Sequence, residues 1–235
     1  MQKERTFKVA KDFSHHIDEN GNPAYEKRFL WVWKFSSGVA PVKDDSGAYH
    51  IYPNGNPVYD HRFINVFNFY EERAAVHDIS GWYHILIDGK ALYPERYDWV
   101  GNFQEHFVPV RKNNIYFYLN YQGKIHNSNQ YAYAGDYKDG YACVNTKEGA
   151  FHIDTSGSPI YPQRYQSVSP FHKGIAVVKK LNGLMTHITL DGNLLYDSEF
   201  LSVDNFYNHV AWAQTLEKRN VLINEKGEII TYLDY

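Results

Sequence analysis

One sequence block recurs along the chain at a fixed interval of 34 residues. It begins with Tyr-x-x-Arg-aromatic or a close variant, ends with a short run closed by Val, and occupies Tyr25–Val42, Tyr59–Val76, Tyr93–Val110 and Tyr161–Val178. A fixed period of this length is typical of repeat proteins, in which each unit is one supersecondary motif that stacks on its neighbours. The period therefore predicts a single repeat domain over residues 1–235, with seven units of which the last is incomplete.

Glycine marks the same place in every unit. Five glycines follow one another at intervals of 34 residues, and two more follow at 35: Gly21, Gly55, Gly89, Gly123, Gly157, then Gly192 and Gly227. Comparison of neighbouring units places the two single-residue insertions near Lys179–Thr186 and Gln214–Asn220. Both stretches are polar and typical of hairpin turns, where an extra residue costs little.

The pattern within a unit predicts three or four short strands and no helix. Gly149–Asp154 leads into a Thr-Ser-Gly turn and a second short run, which indicates a hairpin. Aromatic residues make up 17% of the chain, and tyrosine and phenylalanine favour the half-buried surface of a sheet. A second turn follows at Gly38, Gly140 and Gly174, where two other units carry Glu72 and His106, so we expect this turn not to depend on glycine everywhere.

Four apolar columns predict the shared core, because a unit this small cannot bury such side chains alone. Their members are Val32, Val66, Val100, Ala134, Val168 and Val203; Phe35, Phe69, Phe103, Tyr137, Phe171 and Phe206; Ala40, Ala74, Val108, Ala142, Ala176 and Ala211; and Ile17, Ile51, Ile85, Leu119, Ile153 and Ile188.

Two all-β architectures accommodate such units. Seven glycine turns favour a closed β-propeller-like ring, which needs no capping repeats. The short unit, against about 40–50 residues for a usual blade, favours an open β-solenoid or superhelical array, as does the lack of a seventh Arg-aromatic connection. We favour the ring slightly.

The repeat resembles the WG (KWG) repeat family of bacterial proteins. The shared pattern is Gly-aromatic-x-Ile-Asp, a glycine turn, then aromatic-x-x-Val-x-x-Phe-x-x-Gly-x-Ala-x-Val, and Gly81–Ile85 is the segment most similar to the family's Trp-Gly neighbourhood. Before the isoleucine this chain mostly has histidine where the family often has glycine. The resemblance implies an all-β repeat module, often fused to other domains, and transfers no catalytic residue.

Charge and composition narrow the expected partners and location. The formal net charge of -3 gives no reason to expect nucleic acid or an anionic membrane surface as a partner. The single Cys143 suits a reducing compartment. The charged first residues lack the apolar region of a signal peptide, and no apolar run is long enough for a spanning helix. We therefore expect a soluble, cytoplasmic protein.

A column of histidines is the first set of candidate binding residues: His16, His50, His84, His152 and His187, interrupted by Tyr118. Imidazoles at equivalent positions are suited to binding a metal, an anion or an acidic partner. A metal site needs ligands that converge, usually with nearby cysteine or carboxylate, and no such cluster is visible. The interpretation we favour is a packed ring with one nitrogen bonded to backbone.

A column of arginines is the second set of candidates: Arg28, Arg62, Arg96 and Arg164. A guanidinium can hold carboxylate or phosphate with two parallel hydrogen bonds. It is equally suited to stacking on a tyrosine of the next unit and to pairing with Asp18, Asp88 or Asp154, and we favour this second interpretation.

Aromatic side chains offer a third candidate surface. The tyrosines of the repeat, together with Trp31, Trp33 and Trp99, are suited to stacking on a sugar or a peptide, although packing in the core and between units explains them as well. The tyrosines are Tyr25, Tyr59, Tyr93, Tyr161 and Tyr196.

No known catalytic or cofactor motif is present, so no catalytic residue, metal or cofactor is expected. The leading hypothesis is a non-catalytic module that binds or scaffolds a protein or a small or glycan ligand. The alternatives are a glycan-acting hydrolase and a structural spacer. A binding module should concentrate its departures from the repeat on one face, whereas an enzyme should concentrate them at one point, for which the irregular Asn127–Gln130 is the candidate. The oligomeric state is left open.

Overall fold

Short antiparallel strands make up the regular secondary structure of residues 7–233, which are the residues that the computed structural model describes. Their 21 strands form seven antiparallel sheets, and this part of the chain contains no helix. The prediction of an all-β fold built from tandem units is therefore confirmed. The first sheet has two strands, the last has four, and each of the other five has three.

The sheets follow one another in chain order. The first three contain β1 (Lys8–Val9) and β2 (His16–Ile17); β3 (Trp31–Val32), β4 (Ala40–Asp44) and β5 (Gly47–Ile51); and β6 (Asn65–Tyr70), β7 (Arg73–Asp78) and β8 (Gly81–Ile85). The next two contain β9 (Trp99–Val100), β10 (Phe107–Lys112) and β11 (Ile115–Asn120); and β12 (Tyr133–Ala134), β13 (Tyr141–Thr146) and β14 (Gly149–Asp154). The last two contain β15 (Ser167–Val168), β16 (Ile175–Lys179) and β17 (Met185–Thr189); and β18 (Ser202–Val203), β19 (Val210–Gln214), β20 (Asn220–Asn224) and β21 (Ile229–Tyr232).

The strands belong to two compact units. The first runs to Asn113 and also includes Leu119–Lys124, and the second comprises Asn114–Tyr118 and the chain from Ile125 onward. The division falls within the fourth repeat, whose sequence is the irregular one. The expectation of a single domain, and the choice between a ring and an open array, stay predictions.

Each three-stranded sheet has a lead strand, here meaning its first strand in the chain, and a longer hairpin formed by the other two. In the first compact unit, β3 pairs with β4 through Val32 and Val42, and β4 pairs with β5 from Ala40–Ile51 to Asp44–Gly47. The hairpin loops of the two last sheets lie between Lys179 and Met185 and between Gln214 and Asn220. These are the stretches in which the sequence comparison placed the two inserted residues.

The turn from lead strand to hairpin keeps one backbone shape in the five three-stranded sheets and in the last sheet. Both of its central residues have positive φ, as in Asp139–Gly140 (54° and 84°) and Glu71–Glu72 (47° and 64°). Two consecutive residues with positive φ are the signature of the type I′ turn, whose twist matches that of the flanking strands. Glu72 therefore occupies a left-handed conformation that glycine adopts without steric cost. The expectation that this turn tolerates residues other than glycine is confirmed, and the tolerance comes with backbone strain.

The predicted apolar columns lie in the interior. Val32, Phe103, Ala142 and Ile153 are buried, as are most of their equivalents, whereas Ile17, Phe35 and Val168 are half-buried. In the second compact unit, Val203, Phe206, Ala211 and Ile223 pack in one cluster with side chains of the preceding repeat, such as Val177. Neighbouring repeats thus bury one another's side chains, as stacked repeats must.

The strained turn provides a matched pair of substitutions. Glu72→Gly should raise the free energy of unfolding by about 1 kcal/mol, because glycine relieves the left-handed backbone strain, whereas the Glu72 carboxylate makes only two exposed contacts, an ion pair with Arg73 and a hydrogen bond from the Tyr121 hydroxyl. Gly140→Glu, at the equivalent turn, should lower it by a similar amount. Urea denaturation of both variants measures the two changes, and a loss of stability in Glu72→Gly would contradict the strain argument.

Candidate functional site

The five histidines of the repeat share one buried environment. Each is at most 1% exposed. The Nδ1 atom of each ring lies 2.5 to 2.6 Å from the hydroxyl of a tyrosine nine residues later, which is Tyr25, Tyr59, Tyr93, Tyr161 or Tyr196. The Nε2 atom lies 2.7 to 3.0 Å from the carbonyl oxygen seventeen residues later, on Trp33, Phe67, Gly101, Ser169 or Asp204. Both ring nitrogens are therefore occupied inside the fold.

The hydrogen-bond partners determine the form of the ring. A carbonyl oxygen only accepts, so Nε2 carries the proton and donates it, and Nδ1 accepts from the tyrosine hydroxyl. Each ring also lies against a ring of the phenylalanine column, for example His152 against Phe171 with centroids 4.2 Å apart. The histidines have the packed, backbone-bonded arrangement that we favoured. No nitrogen is left for a metal or an anion.

Burial keeps these rings neutral. Desolvation lowers the pKa of His50, His84, His152 and His187 from 6.5 to about 4, although the bond to the carbonyl opposes the shift. The pKa of His16 is lowered for the same reason. Burial also raises the pKa of the partner Tyr25 to about 12, so its hydroxyl stays protonated and able to donate.

The fourth repeat replaces the histidine with Tyr118 and keeps the carbonyl contact. The Tyr118 hydroxyl donates to the carbonyl oxygen of Gly135 at 2.6 Å, seventeen residues later. The usual tyrosine partner is replaced in the same repeat by Asn127. The two replacements belong together, because a hydroxyl that reaches the carbonyl directly needs no second ring to orient it.

The tyrosines also join each repeat to the next. A Cβ atom placed on Gly55 would lie 2.8 Å from the Tyr25 ring, and one on Gly192 would lie 2.6 Å from the Tyr161 ring. The turn glycine is thus required both by its positive φ and by the ring that packs on it. In the fourth repeat, Asn129 instead donates to the carbonyl of Gly157 at 2.8 Å. The repeat tyrosines are therefore buried contacts between neighbouring repeats and do not form an exposed face.

Each of the four arginines binds the backbone of the loop in which it lies. Nη1 of Arg62 donates to the carbonyls of Tyr59, Asp60 and His61 at 2.8 to 3.2 Å. Arg28, Arg96 and Arg164 make the same three bonds to the three residues before them. This arrangement fixes the loop that leads into the next sheet.

The expected partners of the arginines are different in the structure. The guanidinium of Arg62 lies 3.6 Å from the centre of the Tyr49 ring, which belongs to the preceding strand and not to the next unit. Arg96 stacks on Tyr83 in the same way, and Arg164 stacks on Phe151. The expected aspartates are engaged elsewhere: Asp88 with Lys90, Asp154 with the backbone of Ser156 and Ser158, and Asp18 with the backbone of Asn20 and Asn22.

Cys143 lies within β13 and is buried, and burial raises the pKa of its thiol to about 12. Such a thiol is inert at neutral pH. Within residues 7–233, no group of three or more His, Cys, Asp or Glu side chains is arranged to hold a metal ion.

Exposed aromatic side chains form a track on the first compact unit. We define the aromatic track as Phe13, Trp31, Trp33, Phe67 and Trp82. Phe13 stacks on Trp31 with ring centres 4.5 Å apart, and Trp31 lies 6.1 Å from Trp33. Phe67 lies 5.8 Å from Trp82, which in turn stacks on His77. The first four rings of the track are each more than 40% exposed, which is unusual for aromatic side chains so close together.

A cleft of about 130 Å³ interrupts the track between β3 and β6. Trp33 and Phe67, at equivalent positions of neighbouring repeats, both line it. The other lining residues are Pro41, Lys43, Ala48, Asn65, Val66, Asn68, Tyr70 and Asn102. The Oδ1 atom of Asn68 is buried and has no hydrogen-bond partner. Exposed rings, amides and a recess therefore come together at this site of the first compact unit.

Sequence reasoning found part of this site. Trp31 and Trp33 were named as candidates and lie on the track, whereas Trp99 is half-buried on β9 and does not line the cleft. Phe13, Asn65, Phe67 and Asn68 were missed. The available signal was the column of Trp33 and Phe67, which continues as Gly101, Gly135, Ser169 and Asp204 and so varies far more than any core column.

Comparison with known families and structures supports the repeat assignment. Residues 17–46, 88–115 and 153–184 match the family model described as WG containing repeat. The predicted resemblance is confirmed at those three segments. No curated protein sequence matches the chain.

Solved structures similar to the chain are distant in sequence. The crystal structure of BamB from Moraxella catarrhalis is 12% identical, with a TM-score of 0.50, and the match covers 99% of this chain and 86% of that one. This likeness shows the fold alone. The computationally designed Ika8 protein (13% identical, TM-score 0.49, 95% and 82% covered) and the WD40 beta propeller domain of Doa1 (10%, 0.39, 72% and 67%) are more weakly similar.

A search of residues 7–233 for membrane-crossing helices found none of sufficient length and apolarity. The cytoplasmic location stays a prediction.

The buried histidines predict how stability depends on pH. The pKa of His16 is lowered, and the pKa of the other four is lowered to about 4 in the folded state, against 6.5 when the chain is unfolded, so the unfolded chain takes up protons first as the pH falls. The free energy of unfolding should be constant above pH 6.5 and should fall between pH 6.5 and 4, by about 1.4 kcal/mol per pH unit for each histidine. Urea denaturation across this range measures the slope.

The fourth repeat supplies the control for this experiment. His152→Tyr combined with Tyr161→Asn copies the Tyr118 and Asn127 pair into the fifth repeat, and the slope should decrease by the share of one histidine. Asp44 does not interfere: although burial opposes it, hydrogen bonds from Ser46 and Tyr49 lower its pKa below 3.8, so its contribution is lost only at more acid pH. An unchanged slope in a folded double variant would contradict the assignment.

Proposed function

We propose that this WG-repeat chain is a non-catalytic binding module whose ligand lies along the aromatic track of the first compact unit. The observation that carries the proposal is the exposure of Phe13, Trp31, Trp33 and Phe67 next to one another. Exposed apolar patches of this kind mark interaction sites in soluble proteins, and tryptophan is enriched at the positions that contribute most to binding.

The distribution of departures from the repeat supports a binding face. At the position of Trp33 and Phe67, the backbone carbonyl is the same in every repeat and accepts a bond from His or Tyr118. The side chain at that position is aromatic in two consecutive repeats and becomes glycine, serine or aspartate in the later ones. The variable side chains therefore occupy one repeat position at or just after successive lead strands, which supports a binding face there.

The irregular fourth repeat offers little support for a hydrolase. Asn127 and Asn129 donate to the carbonyls of Ser156 and Gly157, and so replace the ring that packs on the turn glycine elsewhere. Their departure from the repeat has a structural explanation, so the hydrolase hypothesis loses its one candidate for a catalytic location. The aromatic track has no comparable structural explanation, because its rings are exposed.

The proposal is tested by removing both rings of the cleft. Wild-type protein is screened by ligand-observed NMR against a fixed panel of soluble oligosaccharides, decaproline and short acidic and basic peptides. We expect at least one class to bind saturably. Trp33→Ala combined with Phe67→Ala should weaken that binding roughly 10- to 100-fold, the size of effect seen when central aromatic side chains are truncated.

Asp204→Ala is the matched control, because Asp204 occupies the equivalent position in the second compact unit and its backbone carbonyl serves the same histidine bond. It should leave binding unchanged. Absence of binding by every class, or equal loss in the control variant, would overturn the proposal. Release of reducing ends from an oligosaccharide during the screen would overturn its non-catalytic part.

A further inference from the structure

We propose that the cleft between Trp33 and Phe67 binds one ring of a carbohydrate chain, with neighbouring sugar rings stacked along the aromatic track. This inference rests on the proposed function and names the chemical class of its ligand. It follows from the size of the cleft, the shape of its surroundings and the hydrogen-bonding groups that line it.

The size of the cleft suits a single ring. Its volume of about 130 Å³ is below the roughly 300–1,000 Å³ of a site that encloses a whole small molecule. A ligand that uses this site must place one small unit in the recess and extend over the surface beside it. Trp31 and Phe13 continue the exposed apolar surface from Trp33, with successive ring centres 6.1 and 4.5 Å apart.

The rings supply flat apolar surfaces at the cleft and beside it. A pyranose presents two faces of C–H groups and a rim of hydroxyls, so one face packs on an aromatic ring while the rim stays available for hydrogen bonds. Trp33 and Phe67 are 42% and 46% exposed, so part of each ring is open to solvent. Trp82, beside Phe67, extends this surface on the other side of the cleft.

The amides supply the matching polar groups. Asn65, Asn68 and Asn102 line the cleft, and each amide carries both donors and an acceptor, as vicinal hydroxyls do. The Oδ1 of Asn68 is shielded from solvent and has no partner in the protein, which is costly; a rotation of this side chain, which lines the cleft, would expose the oxygen to a hydrogen-bond donor of the ligand. A sugar hydroxyl is such a donor.

A proline-rich peptide is the competing ligand for an aromatic groove. Proline has no backbone N–H, so such a peptide offers mainly acceptors and would leave the Asn68 oxygen unsatisfied. Lys43 is the one charged side chain that lines the cleft among the described residues, which favours a neutral or acidic sugar over a cationic one.

Asn205 provides a comparison for Asn68. It is the equivalent of Asn68 in the second compact unit, and its Oδ1 is likewise buried without a partner. There the residue equivalent to Phe67 is Asp204, so the aromatic ring of that position is absent beside the amide. Asn205 therefore provides a matched control for the role of Asn68.

Isothermal titration calorimetry with cellohexaose, chitohexaose, xylohexaose, maltohexaose and a galacturonic acid hexamer tests the inference, with decaproline as the competing probe. We expect at least one oligosaccharide to bind, and Trp33→Ala to weaken it at least tenfold. Asn68→Leu should weaken it several-fold while the melting temperature stays equal to or above that of the wild type, because the substitution removes an unsatisfied buried oxygen. Asn205→Leu should not change the affinity.

The outcomes separate this inference from the proposed function. Binding of decaproline through Trp33, with no oligosaccharide bound, would overturn the carbohydrate assignment and leave the binding module intact. Oligosaccharide binding that is equal in the wild type, Trp33→Ala and Asn68→Leu would overturn the cleft as the site. Absence of binding by all five oligosaccharides would overturn the carbohydrate assignment, and the wider panel would then decide the proposed function.

Discussion

The hydrogen bonds of the buried histidine are the interaction on which each repeat depends. One nitrogen accepts from a tyrosine nine residues later, and the other donates to a carbonyl seventeen residues later, so one ring connects a hairpin strand, the following loop and the next lead strand. A buried imidazole with either nitrogen unsatisfied would be costly, which makes all three segments depend on one another. The tyrosine then packs on the glycine turn of the next repeat, where no Cβ fits, and so extends this dependence from repeat to repeat.

The arginines stabilise the same connecting loop. Each donates from Nη1 to three consecutive carbonyls, including the carbonyl of the tyrosine that bonds to the histidine, and Arg62, Arg96 and Arg164 also stack on an aromatic ring of the preceding strand. These contacts give the guanidinium a structural role in the connecting loop. Arg164 illustrates the cost of variation. The Nε atoms of Arg62 and Arg96 donate to the hydroxyls of Ser46 and Ser80. In the repeat of Arg164 the residue equivalent to these serines is Glu148, and the Nε of Arg164 is buried without a partner.

Much of the fold was predictable because the same weak sequence pattern recurs in every repeat, so aligned repeats support one another. The strands, the core columns and even the positions of the two inserted residues follow from aligning the units. The partners of His50 and Arg62 were harder to predict, because the relevant contacts span nine, seventeen and thirteen residues and each column has several chemically suitable neighbours. The joint replacement at Tyr118 and Asn127 was the clue to the histidine–tyrosine pair. The expected pairing of arginine with aspartate failed because those carboxylates bond to nearby turn residues and to Lys90.

The cleft was not predictable from the core pattern, because the side chains at its two central positions are exposed and vary from repeat to repeat. The hydrogen bonds that Trp33 and Phe67 make within the repeat come from their backbones: the carbonyl accepts from histidine, and the N–H of Trp33 donates to the carbonyl of Pro41 on the adjacent strand. Any side chain that leaves the backbone in place is compatible with the fold, which explains why tryptophan, phenylalanine, glycine, serine and aspartate all occur there. A position that is held rigidly by its backbone and left free in its side chain suits ligand recognition, since the ring is presented on a fixed strand and its identity can change without loss of the repeat.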